Sequence, residues 1–337
     1  MSAEASKAPV APLPRPVKTA GGFRNPGRHE DRTWLDVLRW KIAARAERWP
    51  RHAPVASIAA PAAPAAGLAA TWIGHASFLI RAPERSWLID PVWSARVGPF
   101  GLLGPRRVQP PALDFDSLPR IDAVWLSHDH YDHCDLPTLR RIAREHPRAR
   151  LFTPLGHEDV ARRAGFGPSR HTALDWWEHI DLASGFRLTA TPARHWGNRL
   201  SGRRNQRLWG GWHLAAPDAA LFFSGDTAFD AEMFSAVRRE LGAPDLALLP
   251  IGAYAPRWFM REQHCDPEEA VAIFRLLGAR RAMGMHWGAF PFTDEPREEP
   301  PARLADAARS AGLAPDRFAA PPPGGTLSAI RGADSGG

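Results

Sequence analysis

The stretch Ser127-His128-Asp129-His130-Tyr131-Asp132-His133 follows directly on the apolar run Ile121 to Leu126. It reads H-x-H-x-D-H. The apolar run predicts a buried strand, and the loop at its end lets successive side chains converge. Three imidazoles and a carboxylate within six residues supply the N and O donors that zinc-like ions take. A polar surface loop would be the ordinary alternative. Four donor side chains beside a buried strand are costly, however, unless something holds them.

One such loop offers too few donors for a closed two-metal site, so further donors are expected downstream at strand ends. Three residues fit. His195 follows Leu188 to Pro192, Asp226 follows Leu221-Phe222-Phe223-Ser224-Gly225, and His286 follows Ala282-Met283-Gly284-Met285. Each stands beside glycine, where backbone packs closely. Singly, each has another reading: Asp226 could cap the helix that begins near Asp230, and His195 or His286 could be a satisfied core histidine. Their order after H-x-H-x-D-H favours a shared role.

Outward from these residues the texture is mixed. Short β-rich runs fall at 70–73, 77–81, 86–90, 121–127, 186–191, 220–224, 246–251 and 281–286. Helical patterns fall at 136–145, 157–164, 231–241, 267–277 and 301–311. This order suggests an α+β domain of two sheets with helices packed outside, not a strictly alternating parallel sheet. Residues 1–30, rich in Pro, Ala and Gly, are expected to be flexible or laid on the surface. Thr33 to Asp36 resembles a capping box and predicts a helix through Trp49, stopped by Pro50. Residues 51–69 read as an Ala/Pro linker. The expected organisation is an arm over 1–66, a single domain over 67–330 and a flexible tail over 331–337.

Composition excludes several classes. With 337 residues, 44% hydrophobic and 23% charged, the chain can bury a substantial core and is not wholly disordered. Two cysteines rule out a disulfide scaffold. No apolar run reaches the roughly 18 residues of a membrane span, and 53–73 is broken by Pro54, Pro61 and Pro64. Met-Ser-Ala-Glu-Ala-Ser-Lys lacks the order of a signal peptide, so a cytoplasmic protein is expected. Residues 1–66 hold 11 Lys/Arg against 5 Asp/Glu, a net of +6, and the remainder holds 32 against 31. The main domain is therefore nearly neutral, which argues against a nucleic-acid face and leaves the excess on the arm.

H-x-H-x-D-H followed by His, Asp and His is the ligand order of the metallo-β-lactamase superfamily, which the chain resembles. The resemblance implies an αββα sandwich with two metals at one edge. It implies His128, His130 and His195 as ligands of one metal, Asp132, His133 and His286 as ligands of the other, and Asp226 as the bridge. Further stretches resemble the N-acylphosphatidylethanolamine-hydrolysing phospholipase D branch. They are Thr71-Trp72-Ile73-Gly74-His75-Ala76-Ser77, Asp90-Pro91-Val92-Trp93-Ser94, Phe222 to Thr227, Met285-His286-Trp287-Gly288, Pro256-Arg257-Trp258-Phe259-Met260 and Gln263-His264-Cys265-Asp266-Pro267. Gly22-Phe23-Arg24-Asn25-Pro26 and Val37-Leu38-Arg39-Trp40 look like its N-terminal segment.

The implied activity is a binuclear, phospholipase-D-type phosphodiesterase using two Zn2+ ions, with Mn2+ or Fe2+ as alternatives. N-acylated or related glycerophospholipids would be the substrates. Asp132 and His264 would serve catalysis, His264 by stabilising phosphate or protonating the leaving group. His264 could instead be a surface histidine at a helix start. His75 and Asp90 are expected to orient metal-bound imidazoles, or to be purely structural. Cys134 and Cys265 read as small buried thiols. A lactonase acting on a sugar-phosphate-like lactone is the enzymatic rival, and a non-catalytic metal-binding sensor the rival of another class. Sixty residues between Asp226 and His286 leave no room for a nuclease insert domain. The helix after Thr33 carries Arg39, Lys41, Arg45 and Arg48 with Trp34, Trp40 and Trp49, the composition of a peripheral membrane helix. It could equally pack on the domain.

Overall fold

Apolar residues occupy both parities of the strands around the histidine loop because each sheet is covered on both faces. The computed structural model describes residues 12–331 other than 28, 29, 31, 45 and 201. Residues 1–11 of the segment expected to be flexible, Arg45 of the basic helix and 332–337 of the tail lie outside the described residues.

Strands β1 (Val17–Thr19) and β2 (Gly22–Arg24) form an antiparallel hairpin, followed by helix α1 (Trp34–Ala43). The first sheet contains β3 (Leu68–Gly74), β4 (Ser77–Ala82), β5 (Arg85–Ile89), β6 (Ala123–Trp125), β7 (Arg150–Pro154) and β8 (His171–Leu174). Helices α2 (Leu136–Glu145) and α3 (Glu158–Ala164) lie in its crossovers. The second sheet contains β9 (His179–Leu182), β10 (Phe186–Thr191), β11 (Gly211–Ala215), β12 (Ala220–Phe223), β13 (Leu246–Pro250), β14 (Arg281–Met285) and β15 (Phe318–Ala319). Helices α4 (Ala231–Leu241), α5 (Arg257–Met260), α6 (Pro267–Leu277) and α7 (Glu299–Ser310) accompany it, and β16 (Thr326–Ala329) returns to pair with β3. The spatial orders are β16-β3-β4-β5-β6-β7-β8 and β15-β14-β13-β12-β11-β10-β9. Each sheet is antiparallel on one side and parallel on the other, over β5 to β8 and β12 to β15.

Alternation along the strands assigns the faces. Between the sheets Phe78 meets Phe223 and Trp87 meets Phe186, with ring centroids 6.3 and 5.2 Å apart. The intervening Ile73, Leu79, Leu88 and Val124 cluster instead with Leu139 and Ile142 of α2 and Val160 of α3. On the second sheet Phe222 packs on Phe234 of α4 at 6.4 Å. Each such fully buried side chain contributes roughly 1.5–3 kcal/mol. The result is the expected αββα sandwich.

Three local expectations are corrected. The helix after Thr33 begins with the expected capping box but ends at Ala43, not Trp49, because Ala44 turns to an extended conformation (ψ 131°). Tertiary contacts win over continued helix. Trp40 packs on Phe259, and the Trp49 indole donates to the Glu295 carbonyl at 3.1 Å. The Ala/Pro linker gives way to β3 at Leu68, and before that it lies along 108–113, where Ile58 N–H donates to the Ala112 carbonyl at 2.8 Å. Strands β1, β2, β7, β8, β9, β11, β15 and β16 stand where the sequence had suggested none.

The ends of six strands meet at one edge. His75 follows β3, Asp90 β5, the histidine loop β6, His195 β10, Asp226 β12 and His286 β14. Asp230, not Asp226, caps α4, its carboxylate accepting from Met233 N–H at 3.0 Å. Asp226 is thereby free to face the other donors.

Candidate metal centre

The structure brings together all seven residues of the implied ligand set. One group is a triangle of imidazoles: His130 Nδ1 lies 2.8 Å from His128 Nε2 and 3.3 Å from His195 Nε2. The other comprises Asp132, His133 and His286, with Asp132 Oδ2 3.5 Å from His133 Nε2 and 3.6 Å from His286 Nε2. Asp226 Oδ2 reaches both. It lies 3.1 and 3.0 Å from the Nε2 atoms of His133 and His286, and 3.9 and 3.8 Å from those of His128 and His195. A tetrahedral zinc site with bonds of about 2.0–2.1 Å has edges of about 3.3 Å, so these separations suit two cations sharing one carboxylate.

Neighbouring groups settle which nitrogen faces inward. Asp90 Oδ2 accepts from His133 Nδ1 at 2.8 Å, and the Gln263 carbonyl accepts from His195 Nδ1 at 2.9 Å. With the ring neutral, each bond leaves an Nε2 lone pair for the centre. Ser127 Oγ and N–H both donate to Asp90, and Ser127 Oγ lies 2.9 Å from His128 Nδ1. Asp132 Oδ2 accepts from His75 Nε2 at 2.8 Å. His133 Nε2, His286 Nε2 and Asp226 Oδ1 are buried without a hydrogen-bond partner. Orphaned donor atoms in a buried cluster are what a cation site requires, so the residues fit the group.

The backbone is strained to achieve this. His75, Asp90 and His286 adopt left-handed conformations, with φ of 54°, 40° and 64°, at a cost of about 1–3 kcal/mol each. The His75 carbonyl ties two sheets together, accepting from the Trp72 indole at 2.7 Å and from His286 N–H at 2.9 Å. At Gly225 (φ 62°) an added Cβ would sit 2.5 Å from the Gly210 carbonyl and 3.0 Å from Ser127 Cβ. Only glycine lets the ends of β6 and β12 approach so closely.

Electrostatics agree with the donor set. Burial holds His128 and His195 well below the usual imidazole range, in the neutral, ligating form. Burial also pulls His286 down, but Asp226 and Asp132 prevail and lift it to about 9. His133 is raised for the same reason. Burial would raise Asp226 and Asp132, yet the neighbouring His133 and His286 keep both well below the usual carboxylate range. The protein thus meets two buried carboxylates with protons on two histidines, a neutralising role that divalent cations equally fill.

The Beta-lactamase superfamily domain matches residues 85–287. The chain belongs to the metallo-β-lactamase superfamily. It is 38% identical over 247 residues to the N-acyl-phosphatidylethanolamine-hydrolyzing phospholipase D 1 of Caenorhabditis elegans, covering 71% of this chain and 69% of that one. It is 30% identical over 240 residues to the mitochondrial N-acyl-phosphatidylethanolamine-hydrolyzing phospholipase D of Saccharomyces cerevisiae, covering 69% of this chain and 50% of the yeast protein. Among solved structures, the metallo hydrolase Igni18 of Ignicoccus hospitalis shares the fold with a TM-score of 0.58 and 24% identity, over 77% of this chain and 97% of that one. This metallo-β-lactamase-fold protein is a metal-dependent hydrolase.

In this hydrolase a cavity of about 380 Å³ opens over Asp132, Asp226, His264 and His286. Val37, Trp40, Phe259 and Met260 form an apolar wall, and Arg32 and Arg204 bring positive charge. His264 faces the cavity, its ring 5.1 and 5.4 Å from those of His195 and His286. Burial pulls His264 and His75 down to about 3, so both are neutral. Cys134 and Cys265 are fully buried, and burial pushes the Cys134 thiol up to about 11. Sequence reasoning missed Ser127 as the link between Asp90 and His128. It also missed Asn25, whose side chain donates to the His195 carbonyl at 2.8 Å from 170 residues away. Asn25 lies in the quoted Gly22–Pro26 stretch, but nothing local announces its partner.

One carboxylate oxygen, Asp226 Oδ2, lies near four imidazole nitrogens drawn from both groups. Wild-type protein purified with zinc is expected to hold about two metals per chain, and Asp226→Ala fewer than one, measured by elemental mass spectrometry. Full metal content in the variant would dissociate Asp226 from the centre.

Proposed function

We propose that the protein is a binuclear zinc phosphodiesterase of phospholipase D type, hydrolysing N-acylated or related glycerophospholipids. The observation that carries the reading is Asp226 Oδ2 lying between two donor groups under a cavity with an apolar wall. The C. elegans and yeast relatives, named for hydrolysing such lipids, support it. Divalent ions bound by these residues supply Lewis acidity for a phosphoryl oxygen and acidify a water. The chain does the rest. His128, His130 and His195 hold one position, and Asp132, His133 and His286 the other. Asp90 and His75 orient His133 and Asp132. His264 presents an imidazole N–H to the phosphoryl or leaving-group oxygen. The Val37–Trp40 and Phe259–Met260 wall receives acyl chain and excludes water.

A long-chain lipid must come from a bilayer, and the rim of the cavity suits one. Trp34, Leu35, Leu38 and Ile42 share one exposed face of α1, with Trp34 and Ile42 73% and 78% exposed. The opposite face, with Trp40, packs on Phe259. Membrane contact thus falls to Trp34 and aliphatic neighbours; Trp40 and Trp49 face the domain. Phe100, Leu102 and Leu103 are exposed just beyond Val97, and Leu200 beyond Tyr131, both cavity-lining residues. Exposed apolar residues close in the chain to cavity-lining ones suit an interaction surface, and Arg39, Lys41 and Arg48 suit anionic headgroups.

Metal-loaded protein incubated with a mixed lipid extract is expected to release phosphatidic acid and N-acylethanolamine, identified by mass spectrometry. A product set without phosphatidic acid would overturn the reading. His264→Ala is expected to lower turnover by about 10²–10⁴ with metal content unchanged. The double variant Trp34→Ser/Ile42→Ser is expected to sediment with anionic vesicles at least about tenfold less well, while cleaving detergent-dispersed substrate normally.

A further inference from the structure

Two arginines are buried behind the histidine loop, where nothing in the reaction calls for them. Arg207 and Arg199 are 1% and 4% exposed, and arginine is seldom buried unless paired. Arg207 Nη1 donates to Asp129 Oδ2 at 2.9 Å, and its Nε and Nη2 donate to the two oxygens of Asp159 at 3.1 and 2.8 Å. Asp129 is the residue between His128 and His130. Arg199 donates to the carbonyls of Asp129 and Cys134 at 2.9 and 2.7 Å, bracketing the loop at both ends. Its guanidinium also lies 4.1 Å from the centre of the Tyr131 ring.

The same segment is pressed against the loop. A Cβ at Gly197 would lie 2.7 Å from Asp129 Oδ1, so glycine permits the approach. Asn205 closes the segment on itself, its N–H donating to the Gly197 carbonyl at 2.7 Å. Phe23 N–H donates to the Asn205 carbonyl at 2.8 Å, which anchors the β1–β2 hairpin there.

The two donor groups are therefore supported differently. His133 and Asp132 are oriented by Asp90 and His75, which sit at the ends of β5 and β3. Asp90 reaches His128 only through Ser127, whereas His128 and His130 both flank Asp129, which is fixed by an ion pair from a long connection between β10 and β11. We infer that Arg207 is a positioning residue: its ion pair with Asp129 sets the cation affinity of the His128, His130 and His195 group, and not that of the Asp132, His133 and His286 group. This inference rests on the two-cation reading above.

A purely structural ion pair behaves differently from a positioning one when both partners are removed. Loss of one partner strands a buried charge, whereas removal of both relieves it. The double variant Asp129→Asn/Arg207→Met is therefore compared with wild type and with Arg207→Lys, which keeps the charge but loses the two-pronged contact to Asp159. Melting of metal-free protein reports the fold, and zinc titration against a chromophoric chelator reports each affinity. The expected result is a double variant that melts near wild type yet binds one of its two zinc ions about 10–100-fold more weakly, with the other affinity unchanged. Arg207→Lys is expected to show the same one-site loss, smaller in size. Two wild-type affinities in the double variant, or in Arg207→Lys should the double variant not fold, would overturn the inference, as would equal weakening of both sites. A wild-type protein that binds fewer than two zinc ions would overturn the two-cation reading itself, and this inference with it.

Discussion

A single oxygen atom, Asp226 Oδ2, must lie within 4 Å of imidazoles delivered by three different segments of chain. Much of the architecture answers to that requirement. A buried carboxylate needs compensating charge close by, so the strands that deliver the partners must end at one level. Parallel pairing of β5 with β6, and of β12 with β13 and β14, places Asp90, the histidine loop, Asp226 and His286 at like ends of their strands. Helices then cover the outer faces, which turns both sheets into dry walls. What remains is to bend side chains inward, and the left-handed turns at His75, Asp90 and His286 do so.

The inner ring of donors is held by an outer ring drawn from distant parts of the chain. Gln263 reaches His195 from the turn before α6, and Asn25 reaches the same residue from the end of β2. Arg199 and Arg207 reach the histidine loop from the connection between β10 and β11. The N-terminal segment, which by charge alone looks like a detachable arm, is thus also part of the support around the site.

What could be read from sequence follows from the range of each interaction. H-x-H-x-D-H announces itself because its donors are neighbours in the chain. His195, Asp226 and His286 are legible as donor residues after apolar runs beside glycine. The sequence left Asp226 open as a cap of the helix near Asp230; the structure gives that role to Asp230, three residues before Met233. Length of α1 was not legible, since local spacing favoured continuation while Phe259 and Glu295 lie more than 200 residues away. Strand β11, Gly211-Trp-His-Leu-Ala215, carries a buried histidine amid its apolar residues and breaks the expected pattern. Nothing local singles out Arg207, because its partners Asp129 and Asp159 are 78 and 48 residues distant.

The pairing of β16 with β3 joins residues 326–329 to 68–71, and Asn25 closes on His195 across 170 positions. Contacts of such range form late, because chain entropy must be overcome before they return any stabilisation. On the ribosome the histidine loop emerges well before His286 and before the strand that seals the first sheet. A nascent chain therefore displays the histidine loop before His195, Asp226 and His286 can join it. The complete donor set is thus a property of the finished fold, brought together from strands that end far apart in the chain.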